Sequence, residues 1–160
     1  MGKKEEKTNV MRVLEQKKIN YKHYTYEPDP TLTGSEIAEI LNENVDKVFK
    51  TLLTTNGKNS YFVFIVPVNC ELDLKKAAKA VGEKSIEMTK AKDLLSLTGY
   101  VHGGCSPIGM KKLYKTTAHI TAKNFDTIFY SGGKVGFQVE TSPKDLESII
   151  PIQYADIIVS

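Results

Sequence analysis

The residues best suited to chemistry gather in one short segment, T-G-Y-V-H-G-G-C-S-P-I-G, from Thr98 to Gly109. Its twelve residues hold four glycines, one proline and one histidine, His102. Glycine costs backbone entropy, so a cluster marks places where a side chain would be in the way. Gly103 and Gly104 can bring main-chain N–H groups close to a ligand, and Pro107 stiffens the exit from the loop. The functional reading is a loop that recognises its ligand with main chain; the plain alternative is a tight turn between two elements. Cys105 lies three residues after His102, and those are the types needed for a thiol nucleophile with an imidazole base. No acidic residue nearby orients the histidine, and a cysteine is equally a small buried hydrophobe. Two further ligands at metal-site spacing are missing, so no metal is expected.

Lys50 stands inside V-F-K-T-L-L, where strand alternation puts it on one face with Val48 and Leu52. A lysine on an apolar face must reach water, a counter-charge or an anionic ligand. It either snorkels to the surface or lines a pocket and holds a phosphate or a carbonyl oxygen. Ser131-Gly132-Gly133-Lys134 reads as a hairpin turn, or as a second glycine edge to the same pocket with Ser131 offering its hydroxyl. His23 and His119 are isolated and read as surface or packing residues. There is no G-x-S-x-G, no Walker loop, no H-E-x-x-H and no carboxylate pair at acid/base spacing. Glycine loops, one placed lysine and a few hydroxyls suit an enzyme whose substrate is already reactive.

The elements that position these residues follow from pattern. Residues 8–19 read as a helix with Val10, Val13 and Leu14 on one face. Tyr21 to Tyr26 alternates as a strand until Pro28 and Pro30 break it. Thr33 and Glu36 have capping-box spacing before a short helix. Val48 to Leu53 and Tyr61 to Val68 read as a hairpin turning near Asn56-Gly57. Asp73 opens a helix that Gly82 stops. A short strand near Ile86 to Met88 and a short helix over residues 92–97 precede the glycine segment. Asp126 to Ser131 and Val135 to Glu140 form a second hairpin, and Ser142-Pro143 caps a last helix. Tyr154 to Val159 closes the chain as a strand. The order lacks the regular crossovers of a doubly wound sheet. It predicts an α+β fold: a mixed, mostly antiparallel sheet forming a barrel-like core flanked by short helices.

Bulk properties agree with one domain over residues 1–160. Hydrophobic content of 41% supports an ordinary core. Two cysteines, Cys70 and Cys105, make no disulfide framework and fit a reducing interior. The charged start M-G-K-K-E-E-K lacks the apolar run of a signal peptide, and Glu6 argues against myristoylation. The longest apolar run is too short to span a bilayer. A cytoplasmic protein with no membrane partner is expected. Net charge is +3, and of 22 basic residues only Arg12 is an arginine. Lysine acts as a point charge on phosphates rather than as a bidentate base reader. Such a surface either holds a nucleic acid by its backbone or one end, or merely keeps the protein soluble.

Seven segments in order, K-T-N-V-M-R-V-L, H-Y-T-Y-E-P-D-P, V-F-K-T-L-L, V-P-V, L-D-L-K-K-A-A-K-A, the glycine segment through M-K-K, and S-G-G-K-V-G, resemble the YbaK family of Cys-tRNA(Pro) deacylases. That family is related to the editing domain inserted in bacterial prolyl-tRNA synthetases. The resemblance spans nearly the whole chain and implies a barrel-like mixed sheet with helices around it. It implies hydrolysis of the ester joining a wrong amino acid to the tRNA 3′ end, with cysteine on tRNA(Pro) as substrate and prolyl-tRNA synthetase as a partner. No cofactor and no DNA partner are implied. The family's essential strand lysine falls on Lys50, as anchor for the terminal adenosine or its phosphate. The first glycine of the G-G pair falls on Gly103, with Gly104 beside it as a second main-chain donor. The T-Y-E tyrosine falls on Tyr26 at the pocket wall, and the S-G-G-K serine on Ser131, with Gly132 next to it. One position departs: where the family often has an acidic residue, G-F-Q puts Gln138, which can hydrogen-bond a ligand but cannot serve as a carboxylate base. Cys105 stands where the family also accepts aliphatic residues.

The resemblance further implies substrate assistance, in which the thiol of the mischarged cysteine attacks its own ester carbonyl. The neighbouring readings are a deacylase of alanyl and other small esters that uses water, and a non-catalytic module that binds the tRNA acceptor end.

Overall fold

Thr8 starts the first element by accepting a hydrogen bond from the Met11 amide, and helix α1 (Asn9–Gln16) buries Val10, Met11 and Leu14 on one face. The helix stops before residue 19 because Lys18 takes a left-handed φ of 58°. Each of these buried aliphatic side chains contributes about 1.5–3 kcal/mol relative to exposure. The chain, seen in a computed structural model, is described over residues 6–160; the first five residues of the charged start lie outside the described ones.

Strand β1 (Lys22–Thr25) leads to helix α2 (Gly34–Ile40), whose capping box between Thr33 and Glu36 is formed as the spacing predicts. A 3-10 turn at Val45–Lys47 precedes β2 (Phe49–Thr55), which pairs antiparallel with β3 (Tyr61–Pro67) and sets Lys50 opposite Val66. The Asp73 side chain caps α3 (Leu74–Val81), and Gly82 ends it in the left-handed region. Strand β4 (Glu87–Met88) and helix α4 (Ala91–Thr98) lead into the glycine segment.

A strand absent from the sequence reading follows, β5 (Lys115–His119), parallel to β3. Its K-T-T-A-H has no apolar alternation because Thr116, Thr117, Ala118 and His119 are all buried in the middle of the sheet. The hairpin of β6 (Ile128–Ser131) and β7 (Phe137–Thr141) and the Ser142-capped helix α5 (Pro143–Ile149) are as expected. The last strand, β8 (Ile152–Ala155), comes earlier than Tyr154 to Val159. Its parallel register on β5 runs from Ile152 opposite Thr116 to Ala155 opposite His119, after which Ile157 drops into the core.

The order β1-β7-β6 makes one sheet and β4-β2-β3-β5-β8 the other. Among the described strands the β3–β5 and β5–β8 pairings are parallel and the other four antiparallel, so the α+β, mixed and mostly antiparallel expectation holds. A parallel bridge between Val48 and Phe129 joins the two sheets just before Lys50. Among the described residues no helix is long and apolar enough to cross a membrane.

Candidate functional site

The junction of the two sheets opens into a cavity of about 550 Å³, a size suited to a small organic group. Tyr26, Lys50, Gly103, Ser131 and Gln138 all line it, brought from five separate segments. His102 and Cys105 line it too. Among the described lining residues Lys50 is the one formally charged side chain, and none is a carboxylate.

Each side chain is fixed by local packing. Lys50 is half-buried, and its ammonium donates to the Cys70 carbonyl at 2.8 Å. An ammonium has three N–H donors, so two remain for a ligand. Burial pulls Lys50 below the usual lysine range, while the Cys70 thiol and Glu71 act the other way. Tyr26 is held where its amide donates to the Gly136 carbonyl at 3.0 Å. Gly136 has a φ of 95°, and a Cβ there would lie 3.1 Å from the Tyr26 carbonyl oxygen, so glycine is required for that approach. Burial raises the Tyr26 phenol above its ordinary range. Ser131 Oγ accepts from the Gly133 amide at 3.1 Å, which closes the turn and leaves its O–H free to donate.

The two glycines of the loop part company. Gly103 is exposed on the cavity at a φ of 86°, and its N–H meets no acceptor among the described residues. Gly104 is buried behind it and does not line the cavity; its N–H donates to the Val101 carbonyl at 3.0 Å. The expected role of Gly104 as a second donor is therefore corrected: that N–H closes the turn, and Gly104 serves by letting the Lys134–Val135 backbone approach. Gly132 likewise stands behind the lining, with its N–H donating to the Phe137 carbonyl at 2.9 Å. Tyr100 sits beneath both loops, bonded to the Ile108 carbonyl, where a Cβ on Gly133 would touch its ring at 3.2 Å.

Cys105 is a poor nucleophile here. Burial pushes its thiol up to about 12, with Thr98 opposing, so it stays protonated near neutral pH. His102 is exposed at the rim while Cys105 is buried. Among the described residues no three His, Cys, Asp or Glu side chains gather to hold a metal. His23 is exposed, and His119 is a buried packing residue whose Nδ1 accepts from the Ile157 amide at 3.3 Å.

Two residues escaped the sequence reading. Thr51 lines the cavity with a buried hydroxyl that has no partner among the described residues. Glu43 carries two buried, unpartnered carboxyl oxygens beside Gln138. Thr51 had a weak signal, as the neighbour of Lys50; Glu43, in a polar turn, had none.

The profile for the aminoacyl-tRNA editing domain matches residues 28–149. A protein of Enterococcus faecalis, provisionally named Cys-tRNA(Pro)/Cys-tRNA(Cys) deacylase EbsC, is 44% identical over 156 residues, which is 97% of this chain and 95% of the relative. A proline–tRNA ligase of Fervidobacterium nodosum is 30% identical over 95 residues, 58% of this chain and 16% of the ligase. A crystal structure described as a provisional trans-editing enzyme for prolyl tRNA synthetase superposes with a TM-score of 0.81 at 22% identity, covering 97% of this chain and all of that one. At that identity the likeness is one of fold.

Proposed function

The chain belongs to the aminoacyl-tRNA editing domain family, and from that premise we propose that it is a trans-editing hydrolase, acting as one domain, that removes cysteine from mischarged tRNA(Pro). The observation that carries this reading is a cavity with binding groups and, among the described residues, no nucleophile activated by a neighbouring base. Among the described residues Lys50, Gly103 and Ser131 face it, no carboxylate does, and the one thiol in its wall stays protonated.

In such a cavity the ester supplies its own nucleophile. The cysteinyl sulfur bonds to the carbonyl carbon of the same residue. The carbon–oxygen bond to the tRNA ribose breaks, and the departing oxygen takes up the proton that the thiol gave. Water then opens the cyclic thioester and releases cysteine. Intramolecular attack already has a high effective concentration, worth up to roughly 7–11 kcal/mol in the best-oriented cases. The protein needs to hold the cysteinyl group in the attacking shape and to stabilise the oxyanion. The Gly103 N–H, which has no acceptor among the described residues, takes the second task, worth about 3–4 kcal/mol when well aimed. The two unused N–H groups of Lys50 anchor the terminal adenosine or its phosphate, with Tyr26, Ser131 and Gln138 around the aminoacyl end.

The test is deacylation of Cys-tRNA(Pro), Ala-tRNA(Pro) and Pro-tRNA(Pro) side by side, with and without prolyl-tRNA synthetase. The cysteinyl ester alone turns over, and Lys50→Ala lowers kcat/KM by about 10²- to 10³-fold, in line with loss of a charged contact of roughly 3–4 kcal/mol. Alanyl turnover would replace this mechanism by one that uses water. Binding without turnover on any ester would make the protein an acceptor-end binding module.

A further inference from the structure

Behind the cavity wall, three polar atoms are buried without a partner among the described residues: both carboxyl oxygens of Glu43 and Oε1 of Gln138. Such atoms are rare, because each costs roughly 1–3 kcal/mol in lost hydration. Glu43 is not placed by chance. Asn42 turns left-handed at a φ of 54°, the Asn42 amide donates to the Glu39 carbonyl, and the Glu43 amide donates to the Ala38 carbonyl at 2.9 Å. This double closure of α2 fixes the Glu43 backbone against buried Ala38. Its carboxyl stands beside the Gln138 amide on β7, close enough for that amide to favour the ionised form, with no hydrogen bond formed between them in this structure. Gln138 is only 4% exposed, and what it exposes lines the cavity, directly across the ladder from Ser131.

We propose that Glu43 is a positioning residue of this pocket: in the occupied site its carboxyl closes a hydrogen bond to the Gln138 amide from behind and sets which end of that amide, the carbonyl or the NH2, is turned to the bound aminoacyl group. This rests on the function proposed above. The reasoning is one of donors and acceptors. A neutral Glu43 has an O–H to donate, which suits the Gln138 carbonyl and leaves the NH2 for the cavity. An ionised Glu43 only accepts, so it binds the Gln138 NH2 and turns the carbonyl to the cavity. A carbonyl there accepts from the α-ammonium of an aminoacyl ester; an NH2 there repels it.

Both states are within reach at physiological pH. Burial pushes Glu43 up to about 7; the Gln138 amide opposes this, Glu140 adds to it, and Lys47 opposes it. Glu140 on β7, Lys47 on the 3-10 turn and Tyr24 on β1 are the titratable groups that face Glu43. Glu140 is not the group that changes state. Burial works to raise it, but hydrogen bonds from Thr127 and from Tyr24, the latter at 2.7 Å, outweigh burial and keep it ionised.

The experiment compares the wild type with Glu43→Gln in Cys-tRNA(Pro) deacylation from about pH 5.5 to about pH 8.5, a range that brackets neutrality. A glutamine at position 43 stays neutral at every pH and can donate to or accept from Gln138, so it cannot follow the titration. The contact needs the substrate amine in its charged form, and an α-amino group loses its proton at about pH 7.7–8.0, so the ratio is read on the acid side of that range. The expected wild-type to variant ratio in kcat/KM is near one at the acid end, rises through neutrality as Glu43 ionises, to at most about tenfold, the worth of one charge-assisted hydrogen bond, and falls back where the substrate amine loses its proton. The change lies in KM with kcat unaltered, as for a contact made equally in ground and transition states. In a Gln138→Ala background Glu43→Gln has no effect on the profile. A flat ratio overturns the proposal, since a purely structural loss lowers activity alike at every pH. Carbon-13 NMR of the wild-type carboxyls gives an independent reading: Glu43 and the Gln138 side-chain amide shift together near neutrality. A Glu43 midpoint in the ordinary glutamate range overturns the proposal even if the variants fail to fold. Should the wild type hydrolyse no aminoacyl ester, the functional reading fails, and the NMR titration still decides whether Glu43 governs Gln138.

Discussion

Replacing Gly103 by alanine separates the strain that a left-handed residue carries from the chemistry its N–H performs. Gly103 holds a φ of 86°. Space is not the obstacle, since a Cβ would lie 3.4 Å from Val135 Cγ2 and 4.0 Å from Pro30 Cα. The cost is the left-handed backbone, about 1–2 kcal/mol for a residue with a Cβ. For a domain of this size that lowers the Tm by roughly 2–8 °C. Relief of the strain turns the peptide and carries the Gly103 N–H away from the cavity. Losing an oxyanion donor costs about 10²- to 10³-fold in rate. Gly82 supplies the control: its φ is 74°, nothing stands within 4 Å of its would-be Cβ, and it does not line the cavity. Gly82→Ala therefore loses similar stability and keeps full activity. The assay is single-turnover release of cysteine from Cys-tRNA(Pro), with thermal unfolding followed by circular dichroism. If Gly103→Ala loses no more activity than Gly82→Ala, the main chain at Gly103 plays no part in the reaction.

Cys105→Ala retains deacylation within a few-fold, because a thiol held near 12 is no nucleophile, and it costs about 1 kcal/mol in lost burial; a loss of turnover beyond a hundredfold in the folded variant restores Cys105 as a reacting group. Burial depresses the His119 imidazole, Asp156 opposes and Lys76 reinforces, so the unfolded chain binds a proton first as the pH falls. Its stabilising share is full above about pH 6.5 and is lost below it; His119→Gln flattens that acid-side loss in urea midpoints, and an unchanged pH dependence refutes the assignment.

What the sequence made legible was local. The Thr33–Glu36 capping box, the Asp73 cap with Gly82 beyond it and the Ser142-Pro143 start are side chains acting on backbone a few residues away, and each appears in the structure. The hairpin that carries Lys50 was legible because β-branched and aromatic residues flank a turn signal. Strand β5 was not, since a strand buried on both faces between parallel partners needs no alternation, and threonines close its hydrogen bonds as Gln153 bonds Thr117. The unequal roles of Gly103 and Gly104 were hidden as well: only the folded turn shows which N–H already has an acceptor. Glu43 was invisible for the plainest reason. Its partner stands on β7, and no periodicity in a polar turn reports a contact so distant in the chain.

The character of the cavity bears on which ester survives it. A general nucleophile or base placed at the carbonyl would cleave any aminoacyl group that fitted, and one methylene of difference in size separates binding by only about 1–3 kcal/mol. Proline and alanine esters would then be lost along with cysteine. Among the described residues the lining offers main chain, hydroxyls, apolar side chains and one lysine, no carboxylate, a thiol that stays protonated, and one imidazole, His102, exposed at the rim. Selection passes from fit to reactivity: an ester without its own thiol occupies the site and leaves intact. On this reading the absence of a carboxylate base from the wall is the source of specificity, and a carboxylate brought into it should relax that specificity. Gln138→Glu is the direct case. It places a base among Lys50, Ser131 and Gly103, and its expected signature is the appearance of alanyl-tRNA(Pro) hydrolysis with cysteinyl turnover retained; a variant that still leaves the alanyl ester untouched, while folded and active on the cysteinyl one, removes the missing carboxylate as the cause.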